Sequence, residues 1–323
     1  MQIARTTRHL WHTYIRPVSI SAWARDAQAL TRARTLVSYY YYVIPLLAFT
    51  FLQASFSGRT SYDPFWPLWW SGSLEFTTVV TVVKLLFIVA SLLGLLFHRF
   101  LLVRMLVFLA IWQVHAFESS FGHINHQWYG WLYTSFVFVF LPAGWHQAGL
   151  AFARARSFLL YVWFAQALVM LTYTLAGMHK WIAVVTQYLA GEIHGLHVQA
   201  FAYQSADMVL RLQSEAILAP SVIMHPEWWW PFYAGFYFIQ VAAFWVMIRP
   251  SLQRSWAFLL IVFHFGTMLT MGITFSQSIL LLIVLFFHTP FHRPYRNVHE
   301  FIRDLPVIGQ VVEWLAAERK SRV

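Results

Sequence analysis

Eight apolar runs, strung along a chain with few charges, decide most of what this sequence can become. They cover residues 37–56, 77–97, 101–119, 127–143, 158–178, 229–248, 256–274 and 276–290. About 20 apolar residues carry a helix across the hydrocarbon core of a bilayer. The fourth, seventh and eighth runs are the short ones. Soluble domains are roughly one-quarter charged, whereas this chain is 11% charged. That is too little to coat a water-facing surface, so lipid must cover much of it. The 17 Trp and 15 Tyr fit this, because an apolar ring with a polar tip settles at the headgroup level.

Charge placement turns the runs into a topology. Basic residues gather on the cytoplasmic side of membrane proteins. With the N-terminus inside and eight crossings, the inner segments hold six Arg before residue 36, Arg99 and Arg104, Arg154 and Arg156, Arg249 and Arg254, and six residues from Arg293 to Arg322, which is 18 of 22 basic residues. Only Arg59, Lys180 and Arg211 fall outside, and Lys84 lies within a span. An odd number of crossings scrambles the pattern. The net charge of +10 is thereby assigned to the membrane's inner face, not to nucleic acid. The expected protein is a multi-pass inner-membrane chain with both ends in the cytoplasm. Its first span acts as the signal, since residues 1–36 lack a long apolar core. With no cysteine, disulfides, thiolate metal sites and thiol catalysis are excluded.

The fold class expected is all-α, with about eight transmembrane helices and interfacial amphipathic helices at both termini and in the 179–228 outer loop. Residues 1–323 form one membrane domain: an amphipathic segment at 1–36, a membrane core at 37–292 and a basic tail at 293–323. Runs two and three are so close, around His98-Arg99, that they form a tight hairpin. In the tail, Pro306 should break the amphipathic stretch 297–318. The long outer loop offers 189–203 and 205–217 as short interfacial helices.

Ionisable groups in a membrane are costly and usually face protein or a wet cavity. His115 and Glu118 share a face at the outer end of the third helix. Asn125 and His126 begin the fourth helix, followed by Tyr129 and Tyr133 on the same stripe. A polar turn with helix caps explains these residues equally well. His123 and His126 have the spacing of a metal pair, but a lone H-x-x-H is weak evidence, and no metal is expected. On the fifth helix Gln166, Tyr173, Gly177 and Lys180 are separated by seven, four and three residues, hence one face, with His179 beside Lys180. A lysine there can simply snorkel to the headgroups. A lysine held away from water can instead serve as a base. His264 lies about 15 Å from the outer end of the seventh helix at 1.5 Å per residue, near mid-membrane. On the sixth helix Tyr233, Tyr237 and Gln240 form a stripe that packing alone would explain. Glu192, His194 and His197 in the outer loop read most simply as a solvated interfacial helix.

Several membrane enzyme classes are absent. Di-iron desaturases need clustered histidine boxes, including H-x-x-H-H, which this chain lacks. There are no aspartate-rich prenyltransferase pairs and no phosphate loop. The paired inverted repeats of many transporters are not visible either.

Read in order, Asn125-His126, then Leu175-Ala176-Gly177-Met178-His179-Lys180-Trp181, then Phe263-His264 with Phe275-Ser276, the chain resembles the membrane portion of vitamin K-dependent gamma-glutamyl carboxylase. It also resembles the bacterial horizontally transferred transmembrane (HTTM) domain proteins. The resemblance runs from about residue 37 to 292. It implies that Lys180 is the base that deprotonates a reduced, vitamin K-like quinone, with His179 standing where the family has another lysine. It further implies that Asn125 and His126 sit near the reacting atoms and that His264 completes the pocket. His115, Tyr129, Tyr133, Tyr173, His179, Tyr237 and Gln240 are then the cofactor-contacting candidates. In that family, hydroquinone oxygenation drives proton removal from glutamate, and the carbanion captures carbon dioxide. Departures are plain: the large lumenal domain and its cysteines are missing.

The expected function is therefore a quinol-dependent oxidoreductase or carboxylase-type lyase with its site toward the extracytoplasmic leaflet, acting with lipid, quinone and a secreted peptide or protein as partners. The alternative is a non-catalytic membrane protein that binds a lipid or quinone, or assists maturation or export of a secreted partner.

Overall fold

A computed structural model describes residues 20–56, 62–122, 126–295, 297–309, 311–312 and 314–315. The described residues are helical, without strands. After a short turn at Ile20–Trp23 come α1 (Ala27–Gln53), α2 (Phe76–Phe97), α3 (Leu101–Ser119), α4 (Tyr129–Val139, entered through a 3-10 turn at His126–Trp128), α5 (Phe152–Leu189), α6 (Ala200–Leu212), α7 (Ala219–Met224), α8 (Pro226–Val241), α9 (Gln253–Met271), α10 (Ser276–Leu282, continued by a π turn at Ile283–Phe287) and α11 (Val298–Asp304). A 3-10 turn at Ala242–Phe244 carries α8 on to Ile248.

Among the described residues six helical stretches are long and apolar enough to cross a bilayer: α1, α2, α3, α5, Pro226–Ile248 and Pro250–Met271. The segments expected at 127–143 and 276–290 are helical but short. His126–Val139 spans about 21 Å and Ser276–Phe287 about 18 Å at 1.5 Å per residue, against a core of about 30 Å. The first is followed by Pro142 and by Gly144 in a left-handed conformation (φ 72°), and the second runs into Thr289-Pro290. Both sequences stop a helix.

Helix ends depart from expectation where polar residues extend an apolar run. Helix α1 starts ten residues early, because the Asp26 carboxylate accepts from the amides of Gln28 and Ala29, an N-cap. Helix α5 runs 38 residues, about 57 Å, past the expected 158–178. It stops at Gly191, which has φ 71°. In place of the two short helices proposed at 189–203 and 205–217 there is one, α6, closed by left-handed Gln213. In the tail α11 ends at Asp304, with Leu305 as its C-cap, ahead of Pro306 as expected. Residues 1–19 of the N-terminal amphipathic segment lie outside the described residues.

The chain divides into two compact units. One comprises Trp23–Thr172 with Phe275–Pro290. Here α2 and α3 form the expected hairpin through His98–Phe100, close because Gly94 leaves no room for a side chain: a Cβ there would sit 2.8 Å from Val107. On α2, Val79, Val83, Phe87, Ala90 and Gly94 are buried, while Leu85, Val89, Leu92 and Leu96 are exposed. An apolar outer face over an apolar inner face is the mark of a helix that lipid surrounds. Tyr40 of α1 stacks on Trp131 of α4 and donates to its carbonyl at 2.9 Å. The two short helices meet where Gly130 lies against Leu281, and Trp131 Nε1 donates to the Gln277 carbonyl. The other unit comprises Tyr173–Thr274 and the described parts of Met1–Ala22 and Phe291–Val323. It packs Val184, Phe201, Val222, Tyr233, Tyr237 and Met271 into one core.

Candidate functional site

Glycine sets the geometry around the lysine. A Cβ on Gly177 of α5 would lie 2.6 Å from the Val241 nitrogen and 2.9 Å from the Gln240 carbonyl carbon. No other residue lets the α8 backbone come so near. The contact is locked one turn earlier: the Phe244 amide, released where α8 tightens into its 3-10 turn, donates to Thr174 Oγ1 at 2.9 Å. One turn later on the same face, Lys180 Nζ donates to Gln240 Oε1 at 2.8 Å. The amine also lies 5.5 Å from the centre of the Tyr237 ring and 5.6 Å from that of Phe263, within cation–π range.

These partners are themselves fixed. Gln240 and Tyr237 are buried. The Tyr237 and Tyr233 hydroxyls are 2.9 Å apart, and Tyr233 donates to Gln204 of α6 at 2.9 Å. Among the described residues no carboxylate lies within ion-pair reach of Nζ. Two turns before Lys180, the Tyr173 hydroxyl is 2.7 Å from Nε2 of His264, and His264 is only 4% exposed. The α5 face predicted from residue spacing therefore presents a phenol to an imidazole and an amine to an amide.

The remaining predicted residues form a second group, in the other unit. The ring of Tyr129 lies 4.9 Å from that of His115, 5.3 Å from that of His126 and 5.9 Å from that of Tyr133, with the two tyrosines nearly parallel at 16°. His115 is buried, and its Nδ1 has no hydrogen-bond partner among the described residues. His126 is exposed. Asn125 lies outside the described residues. His179 is exposed next to Lys180. Lys180, Gln240, Tyr237, Tyr173 and His264 thus come together in one unit; His115, His126, Tyr129 and Tyr133 do so in the other.

Comparison with family models, with curated proteins and with solved structures gives no match. The chemistry has to be read from the side chains. Sequence reasoning missed Thr174 and Gln204, which carry no signal beyond being polar in apolar surroundings. It also did not foresee that Arg104 is buried: the residue is 3% exposed, with its guanidinium donating to the carbonyls of His98, Arg99, Val139 and Leu141 at 2.9–3.3 Å. An arginine four residues into an apolar helix was the available clue. Lys84 is held similarly, by the Leu52 and Ala54 carbonyls at 2.8 Å, where the C-terminus of α1 favours a cation.

Proposed function

We propose that this chain is a cytoplasmic-membrane enzyme in which Lys180 takes a proton from the hydroxyl of a reduced quinone. The observation that carries the reading is the amine itself. It uses one of its three donors on Gln240 and faces two aromatic rings, without a carboxylate among the described residues to hold its proton. That set fits a quinone headgroup, whose ring complements ring faces and whose oxygens complement an amine. When bound, a reduced quinone supplies the reducing electrons. Lys180 Nζ in its neutral form accepts the proton, and Gln240 Oε1 orients the amine. Tyr173 and His264 form a hydrogen-bonded pair on the same α5 face. Lyase chemistry on a secreted peptide is the finest form of the proposal.

All eight helical segments enter the bilayer in this reading, with both ends cytoplasmic. What supports it is charge. If only the six long stretches crossed, Arg154, Arg156, Arg249 and Arg254 would move to the outer face, against the positive-inside tendency. The exposed Ile308, Val311, Trp314 and Leu315 of the tail then rest on the inner surface.

The test is aerobic turnover of a reduced menaquinone or vitamin K analogue by the purified chain. Lys180→Met should lose about 100-fold or more, the usual weight of a general base, while still binding the quinone. Equal turnover by the variant would remove Lys180 from the chemistry. Quinone binding without turnover in the wild type would favour the non-catalytic alternative.

A further inference from the structure

A second feature of the molecule has no part in that chemistry. In the unit that holds α2, α3 and α4, a groove of about 1140 Å³ opens beside the α2–α3 turn. One end is basic: His98, Arg99, Arg104 and His146 line it, and neither Asp nor Glu does. The other end is apolar. Leu101, Met105 and Phe108 follow one another along α3, and Phe136 and Phe140 along α4. Their spacing of three and four residues makes two parallel ridges, on the order of 10 Å long on α3.

The basic end is built, not incidental. Arg104 is fixed by carbonyls at the C-terminal ends of α2 and α4, where the helix dipoles favour a cation. Its Nε still has no hydrogen-bond partner among the described residues. Arg34 donates to the Trp145 and Gln147 carbonyls at 3.1 and 2.6 Å, which fixes the loop carrying His146. Nδ1 of His146 is buried and likewise without a partner. Arg99 is exposed at the mouth. The groove therefore gathers fixed positive charge and no acid, and an apolar channel leads away from it.

We infer that this groove seats one anionic phospholipid, its headgroup at Arg99, Arg104 and His146 and an acyl chain between the α3 and α4 ridges. A free anion would answer the charge but leave the ridges bare; a neutral lipid would fill the ridges and leave the guanidinium groups without a counter-ion. The site is separate from Lys180, and the inference stands whether or not the quinol reading does.

Native mass spectrometry of the full chain, released from micelles holding equal amounts of phosphatidylglycerol and phosphatidylcholine, tests it. One phosphatidylglycerol should be retained in preference to phosphatidylcholine. Arg99→Gln and, separately, His146→Gln should lower that preference, about fivefold for the arginine, the usual contribution of one basic side chain near an anionic lipid. Both side chains are at least partly exposed, so neither variant should disturb folding. Glycerol phosphate, the headgroup without a tail, should not displace the lipid at millimolar concentration. Equal retention of the two lipids would overturn the inference, as would an unchanged preference in both variants. Displacement by glycerol phosphate or inorganic phosphate would reduce the groove to a plain anion site, and a dimer that retains no lipid would show that a second copy covers it; either result overturns the proposal.

Discussion

Arg104 is buried and Lys180 half-buried in apolar helices, and among the described residues neither meets a carboxylate, yet the two basic side chains are held in opposite ways. The arginine meets four backbone carbonyls. The lysine meets one amide oxygen and two ring faces. Carbonyls at helix ends are orphan acceptors that something must satisfy, so Arg104 completes the backbone and is bound to it. Lys180 satisfies no backbone group, and it keeps donors for a ligand. The contrast separates a charge that serves the fold from one available for chemistry.

Substitution should expose this difference. Arg104→Leu is expected to cost about 3 kcal/mol, because it leaves buried carbonyls without donors; denaturant unfolding in micelles measures it. Lys180→Met should change stability by less than about 1 kcal/mol while quinol turnover collapses. A large stability loss at Lys180 would erase the distinction. Gly177→Val sharpens the lysine side of the comparison. Pushing α5 from α8 should cost about 2 kcal/mol and part Nζ from Gln240, so turnover should fall with Lys180 still in place. Tyr173→Phe removes one hydrogen bond, an effect of about 1 kcal/mol, and thermal unfolding should show it.

The smallest effect concerns pH at the arginine end. Burial, and then the charges of Arg99, Arg34 and Arg104, hold the His146 imidazole below its usual range. Its neutral form is thus favoured by folding. The stability this represents is complete above about pH 6.5, the unfolded value, and is lost as pH falls through the folded value. Selectively labelled His146 should titrate below 6.5, and phosphatidylglycerol should draw the midpoint upward. A midpoint indifferent to lipid charge would weaken the inferred groove.

Helix positions were largely legible in the sequence because a bilayer demands long apolar runs: α3 occupies 101–119 as expected. Helix ends were not, since a helix continues through polar residues once a cap such as Asp26 is supplied. The fourth and eighth runs were already short in the sequence, but hydropathy does not register that their helices stop earlier still, ahead of Pro142 and of Thr289-Pro290. At the site, the α5 face came directly from spacing. Its partners did not, because which residue of α8 meets Gly177 is set by packing between distant segments. The burial of Arg104 was not legible for a related reason: carbonyls freed at two helix ends leave no mark on composition.

Helix α5 has a further consequence. At about 57 Å it is nearly twice the thickness of the hydrocarbon slab, and a tilt within the usual 0–40° cannot absorb the excess. At least one end must leave the hydrocarbon core, and Lys180 sits 28 residues from Phe152. Hydrophobic mismatch then sets how deep the amine lies, so bilayers of different acyl length would tune the reactivity of a single lysine with no change in sequence.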